Sequence, residues 1–146
     1  MELLAHGSSF VGRHLEMHKM ISSCLHNQLT VVHGERGTGK SALILETARY
    51  MRQRNRFPNG IYCCSIQGLK HVKQVRTQLG RTLNVPVRSD FHDLLARYTC
   101  CLFIFDRCED IFRHKAYQFF YFLSKLFEKS PSTNCLLYTS PSPRDS

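Results

Sequence analysis

The sequence predicts an α/β fold, a three-layer domain with a mostly parallel sheet held between helices. Three observations lead there. Short apolar runs at 29–33, 61–66 and 100–105 have strand length and are separated by helix-patterned sequence. The run at 100–105 is apolar at every position, as a parallel strand covered on both faces must be. A glycine-rich turn at 34–39 joins the first run to a helical pattern.

Taken in order, Phe10 to Arg13 reads as a loop that opens into a helix over 14–27. Leu15, Met20, Ile21, Cys24 and Leu25 give that helix an irregular apolar face. Leu29 to His33 is a β-branched buried strand. A helix over 40–55 follows the glycine turn, with Leu43, Ile44, Ala48 and Met51 at helical spacing. Phe57, Pro58, Asn59 and Gly60 punctuate the chain before the strand at 61–66. Residues 69–83 form an amphipathic helix with Gly80 as a candidate break. Pro86 ends that stretch, and Asp90 is a candidate cap for a short helix to Arg97. The strand at 100–105 leads to a long helix over 111–129, rich in Phe and Tyr. Strands alternating with helices imply right-handed βαβ crossovers.

Composition narrows the class. Hydrophobic residues make up 42% of the 146-residue chain and charged residues 21%, a globular rather than a disordered balance. The length suits one domain and is short for a complete three-layer α/β domain. No apolar run approaches the ~20 residues that span a bilayer. The first residues lack the basic start and apolar core of a signal peptide, so a cytoplasmic location and no membrane partner are expected.

The seven cysteines have neither C-x-x-C nor zinc-finger spacing. They read as reduced thiols, several of them small buried groups, with metal binding or disulfides as the alternatives. The formal charge is +9, and Arg49, Arg52, Arg54 and Arg56 form the densest basic stretch. That stretch is a nucleic-acid footprint or, in the plainer reading, a solvated helix end where cations complement the helix dipole.

The chemistry concentrates after the first strand. Gly34, Glu35, Arg36, Gly37, Thr38, Gly39, Lys40 and Ser41 satisfy G-x-x-x-x-G-K-[ST], the P-loop or Walker A pattern. Polyphosphate binding needs many donors at short range with no side chains in the way. Glycines let the backbone curl so that successive N–H groups point inward. The next helix, with Ala42 in its first turn, offers its positive N-terminus to the same anion. Lys40 is expected to reach the β- and γ-phosphates, and the Ser41 hydroxyl to coordinate magnesium. ATP or ADP with Mg2+ is the expected cofactor set, since no guanine-specific motif is visible.

Leu102, Phe103, Ile104, Phe105 and Asp106 supply the second element, an apolar strand ending in a carboxylate (Walker B). An acid at the C-terminal edge of a strand beside the P-loop can hold magnesium directly or through water. A helix cap or turn residue is the plainer reading of Asp106. His33 and His114 have no visible partner and read as structural. The phenylalanines at 112, 119, 120, 122 and 127 read as core, with part of that face open to another domain.

Three segments carry a family resemblance. Phe10, Val11, Gly12 and Arg13, followed by Glu16, resemble the Phe-Val-Gly-Arg-x-x-Glu motif of the STAND signal-transduction ATPases, which include the NB-ARC regulators. The run from Leu102 through Asp106 to Cys108, Glu109 and Asp110 resembles their Leu-Leu-Val-Leu-Asp-Asn-Cys-Glu-His segment. Residues 57–62 resemble their second strand. The resemblance covers roughly 9–134. It implies an ATP/ADP-driven switch with Val11, Gly12 and Arg13 beside the base or ribose, although Arg13 also reads as a surface side chain. It further implies protein partners through downstream domains and homo-oligomer formation on activation. One departure matters: many members have an acid or Asn directly after the Asp, and this chain has Arg107. Glu109 then orients the attacking water, or is a solvated first-turn acid. Slow ATP hydrolysis by the full-length protein is expected to rest on Asp106 and Glu109. The alternatives are an AAA+-type ATPase acting on DNA, with nucleic acid as its partner, and a nucleotide-binding module without turnover.

The last residues are anomalous. The run from Cys135, Leu136, Leu137, Tyr138 and Thr139 to Asp145 resembles, residue for residue, one translated frame of a transposon-based sequencing adaptor. The expected division is therefore 1–134, the N-terminal part of a P-loop nucleotide-binding domain incomplete at its C-terminus, and 135–146, not native. In STAND and AAA+ domains a strand lies between the P-loop strand and the Walker B strand. Residues 135–139 are apolar enough to fill that slot as a central strand, without functional meaning.

Overall fold

A parallel strand covered on both faces needs apolar side chains at successive positions, and two strands of this chain have them. In the computed structural model, which describes the backbone of residues 10–34 and 40–139 and the side chains of 15–34 and 42–139, these two strands form the centre of the sheet. They are β3 (Leu102–Asp106) and β4 (Asn134–Thr139). The outer strands are β1 (Leu29–His33) and β2 (Ile61–Ser65). All neighbours are parallel in the order β1-β4-β3-β2. The α/β fold read from the sequence is thus the fold observed, and residues 135–139 occupy the slot between β1 and β3.

Successive side chains point to opposite faces, and that alternation builds two cores. Val32, Leu102, Ile104, Leu136 and Tyr138 meet helix α1 (Phe10–His26) and helix α2 (Lys40–Gln53) through Met20, Cys24, Leu43, Ile44 and Met51. Phe103, Phe105, Cys135 and Leu137 meet α3 (Val72–Leu83), α4 (Phe91–Leu95) and α5 (Glu109–Lys129) through Leu79, Phe91, Phe119 and Phe122. These layers make the three-layer sandwich. Buried polar contacts fix the helices on the sheet. Ser23 Oγ and Thr30 Oγ1 lie 2.8 Å apart between α1 and β1, and Asn134 Nδ2 donates to the Cys24 carbonyl at 2.6 Å. Arg52 Nη2 donates to the Ile61 carbonyl at 3.0 Å, so this arginine of the basic stretch ties α2 to the edge strand.

Several boundaries differ from the sequence reading. Residues 10–13 are not a loop, since α1 already begins at Phe10. Gly80 does not break α3. It is buried inside the helix because a Cβ there would lie 2.6 Å from Val87 Cγ2 and 2.8 Å from the Val85 carbonyl. The helix stops at Asn84, whose φ of 55° closes it in the left-handed region, with Val85 N donating to the Gly80 carbonyl at 2.8 Å. The same helix starts at Val72 rather than 69, and Gln74 Oε1 accepts from the His71 amide at 3.1 Å. Asp90 precedes α4, but its carboxylate faces Arg88 at 3.3 Å instead of capping the helix. The helix α5 begins at Glu109, two residues early, and leaves helical geometry at Lys115, where neither Gly nor Pro marks a break. Five of the seven cysteines are buried, Cys63 and Cys100 are exposed, and all are free thiols.

Candidate functional site

In a parallel sheet the C-terminal ends of all strands share one edge. Here the chain leaves β1 towards α2 on one face and leaves β3 towards α5 on the other. Loops that part to opposite faces open a crevice at the strand ends, the usual ligand position in such sheets. Gly34 leaves β1 into this crevice, and its amide donates to the Thr139 carbonyl at 3.1 Å. On the other side of β4, the Cys108 amide donates to the Tyr138 carbonyl at 3.0 Å. One strand therefore braces both loops through backbone oxygens, a service that any parallel strand in this slot would supply. With strands ~4.8 Å apart, the axes of β1 and β3 are separated by roughly 10 Å.

The expected site residues divide by what is described. Glu35, Arg36, Gly37, Thr38 and Gly39 lie outside the described residues. Lys40 and Ser41 are the first two residues of α2, and Ala42 follows them, exposed. Only the backbone of Lys40 and Ser41 is described. The same holds for Val11, Gly12 and Arg13, in the first turn of α1. Asp106 ends β3, and Glu109 opens α5.

Asp106 has a divided environment. Its Oδ1 is buried with no hydrogen-bond partner among the described residues, while Oδ2 lies 3.9 Å from Arg107 Nε. Burial pushes its carboxyl above the ordinary range, opposed by the Arg107 cation and amide and reinforced by Glu109. Arg107 adopts φ 63°, a left-handed turn that swings the chain from β3 into α5. Its side chain is half exposed, so the ion pair is open to solvent. Sequence reasoning treated Arg107 only as a departure and missed its place beside the carboxylate; the signal was simply adjacency. The main-chain oxygen of Asp106 accepts from the Ile66 amide at 3.0 Å, and Asp110 Oδ2 accepts from the Gly68 amide at 3.0 Å. These bonds tie the β2 exit to the start of α5. Cys108, fully buried, has its thiol pKa pushed up by burial and donates to the Phe105 carbonyl at 3.3 Å, so it serves as packing rather than as a nucleophile.

An unpaired buried carboxylate oxygen at the mouth of a crevice can accept a hydrogen bond or bind a hard cation. Among the described residues no cluster of three or more His, Cys, Asp or Glu is placed to hold a metal ion unaided. A cation here would need further ligands from its own cargo or from water.

No protein-family model matches the sequence, and comparison with curated proteins finds no match. Solved structures share the fold. A chain in the structure of Drosophila ORC bound to DNA superposes with a TM-score of 0.64 over 85% of this chain, at 18% identity. This chain spans 36% of that one. At that identity the likeness concerns the fold alone, a parallel α/β sheet between helices. Among the described residues no helix is long and apolar enough to cross a membrane.

Proposed function

We propose that this chain is a nucleotide-binding module that takes ATP and ADP with Mg2+ at the crevice between the β1 and β3 ends. The carrying observation is the run from Gly34 to Ser41. It leaves the parallel edge strand β1 and ends as α2 begins, one strand away from a carboxylate with an unpaired buried oxygen. Backbone amides beyond Gly34, from 35 to 39, and the α2 N-terminus cradle the phosphates, Lys40 holds their charge, and Val11, Gly12 and Arg13 flank the base or ribose. Ser41 and Asp106 are the ligands for Mg2+, and the orphan Oδ1 of Asp106 is a fitting acceptor for it or for one of its waters. When bound, Mg2+ neutralises the phosphate oxygens. Glu109, at the first position of α5, orients the water, while Arg107 holds Asp106 when the cation is away.

Within this reading the module is the cytoplasmic switch of a STAND-type signalling or assembly ATPase. Other domains and copies of the protein read its nucleotide state. Residues 135–146 are an adaptor translation, of which 135–139 fill the central strand slot without functional meaning. The fold likeness to an ORC chain and the arginines at the end of α2 favour a second reading, an AAA+-type ATPase acting on DNA. Arg107 in place of an acid after Asp106 counts against it.

Calorimetric titration with ATP, with and without Mg2+, tests the proposal. Micromolar binding strengthened by Mg2+ is expected, and Asp106→Asn should remove the Mg2+ dependence while ATP still binds. In a phosphate-release assay, loss of turnover in Glu109→Gln with binding intact identifies the water-orienting residue. Absence of ATP binding in a folded chain rejects the proposal, and DNA binding that falls steeply with salt favours the second reading.

A further inference from the structure

On the sheet face opposite α2, helices α3 and α5 flank an open groove of about 380 Å³. Val72 and Arg76 line it from α3, and Tyr117, Tyr121, Phe122 and Lys125 line it from α5. Its floor is apolar, with Phe122 buried. Its α5 wall leaves Tyr117 80% and Tyr121 55% exposed, one helical turn apart. Isolated exposed aromatics are ordinary, but two beside an apolar hollow form a contiguous patch of the kind that marks a contact site.

Arg76 gives the groove its chemistry. Its guanidinium lies 5.4 Å from the centre of the Phe91 ring, and Nη2 reaches the Arg88 carbonyl only at 3.5 Å. Its Nε is buried and has no hydrogen-bond partner among the described residues. The Nε faces inward, but the rest of the guanidinium keeps its charge at the groove, where a carboxylate can meet its terminal N–H groups with charge-assisted bonds. Across the groove Lys125 sits 5.4 Å from the Tyr121 ring centre, a second cation on the opposite wall.

The rim is not uniformly basic. Glu128 lies 3.6 Å from Lys125, and Asp93 lies 3.1 Å from Lys129. Both lysines are thus already paired, which leaves Arg76 as the groove-lining cation without an acidic partner among the described residues. Tyr and Arg are also the residue types that dominate protein–protein contact energies.

From the Arg76 guanidinium, which lines the groove with no acidic partner among the described residues, and the exposed tyrosines beside it, we infer that this groove docks a segment of a protein partner. That segment presents one Asp or Glu to Arg76 beside a leucine or aromatic side chain laid on Phe122 and Val72. The site is separate from the nucleotide crevice and does not depend on the reading given for it.

The test uses the full chain fused to a soluble carrier and a phage-displayed library of random twelve-residue peptides. Selection runs against the wild-type chain, with depletion on Arg76→Gln and, separately, on Tyr121→Ala, whose exposed side chain can be removed without unfolding the core. Enriched peptides should share an acid within one helical turn of a Leu, Phe or Trp. A synthetic peptide of that sequence should lose about tenfold in affinity on Arg76→Gln. Changing its acid to the amide should weaken binding to the wild type and leave binding to Arg76→Gln almost unchanged. Three results overturn the inference: no enrichment over the variants, enriched peptides lacking an acid, or displacement of the peptide by a twelve-residue oligothymidylate.

Discussion

The two faces of the sheet are packed from different residues. Between the sheet and α1 and α2 lie Met20, Cys24, Leu43, Ile44, Ala48 and Met51, aliphatic and sulfur side chains that shape themselves to the space available. On the other face Phe91, Phe103, Phe105, Phe119 and Phe122 carry the contact, with Phe105 and Phe119 edge to face at 5.7 Å. Small and pliant side chains fill the space between the sheet and α1 and α2. On the other face bulky rings seat α3, α4 and α5, and the groove opens at the surface between α3 and α5. The difference teaches where each candidate site can be read. The crevice is written in a motif, and the groove only in shape.

Cavity formation separates the faces most strongly. Phe119→Ala should cost about 3–5 kcal/mol, and Met51→Ala should fall in the lower part of the ~2–5 kcal/mol range, because the thioether's neighbours can relax into the space. Urea unfolding of both variants checks the order, and an equal or larger loss for Met51→Ala breaks the contrast. Across the strands rather than the faces, hydrogen exchange should be slowest in β3 and β4. It should be faster in β1 and β2, each of which has one side of its backbone without a strand neighbour among the described residues. The exposed edge of β1 should also make the isolated chain prone to association, which light scattering against concentration would reveal.

Titration sharpens the comparison with smaller effects. Burial holds His92 below the ordinary imidazole range, aided by the cations of Arg76 and Lys125 and opposed by the Phe122 carbonyl and Asp93. The unfolded chain therefore binds this proton more readily, and stability should fall as pH drops through about 6.5, with the loss confined to the aromatic face. His92→Gln should flatten that slope. At the alkaline end both faces respond. Burial pushes Cys24 up to about 12 and Cys64 up to about 11, from a reference of 9.0. The folded chain keeps protons that the unfolded chain loses, so stability is full below pH 9 and declines as pH rises through 11 to 12. Cys24→Ala and Cys64→Ala should each remove part of that decline.

The strands were legible because parallel pairing demands uninterrupted apolar runs, and 102–106 and 134–139 meet that demand at nearly every position. The start of α1 was not, because Val11 and Gly12 favour non-helical backbone locally, while the helix continues through them. The groove was illegible for a different reason. Aromatics at 112, 117, 119, 120, 121, 122 and 127 surround α5, so periodicity cannot separate the buried Phe119 and Phe122 from the exposed Tyr117 and Tyr121. In the crevice, spacing identified Asp106 as a carboxylate at a strand end, but only the folded turn brings Arg107 beside it and leaves its other oxygen unpaired.

The most direct test of nucleotide binding is isothermal calorimetry of ATP with Mg2+ on the parent chain and on Lys40→Ala, both shown to be folded by circular dichroism. Loss of a cation facing the phosphates should weaken binding by about 10- to 100-fold, or roughly 1.5–3 kcal/mol. Equal affinity for the two proteins would contradict the assignment of Gly34 to Ser41 as a phosphate-binding loop.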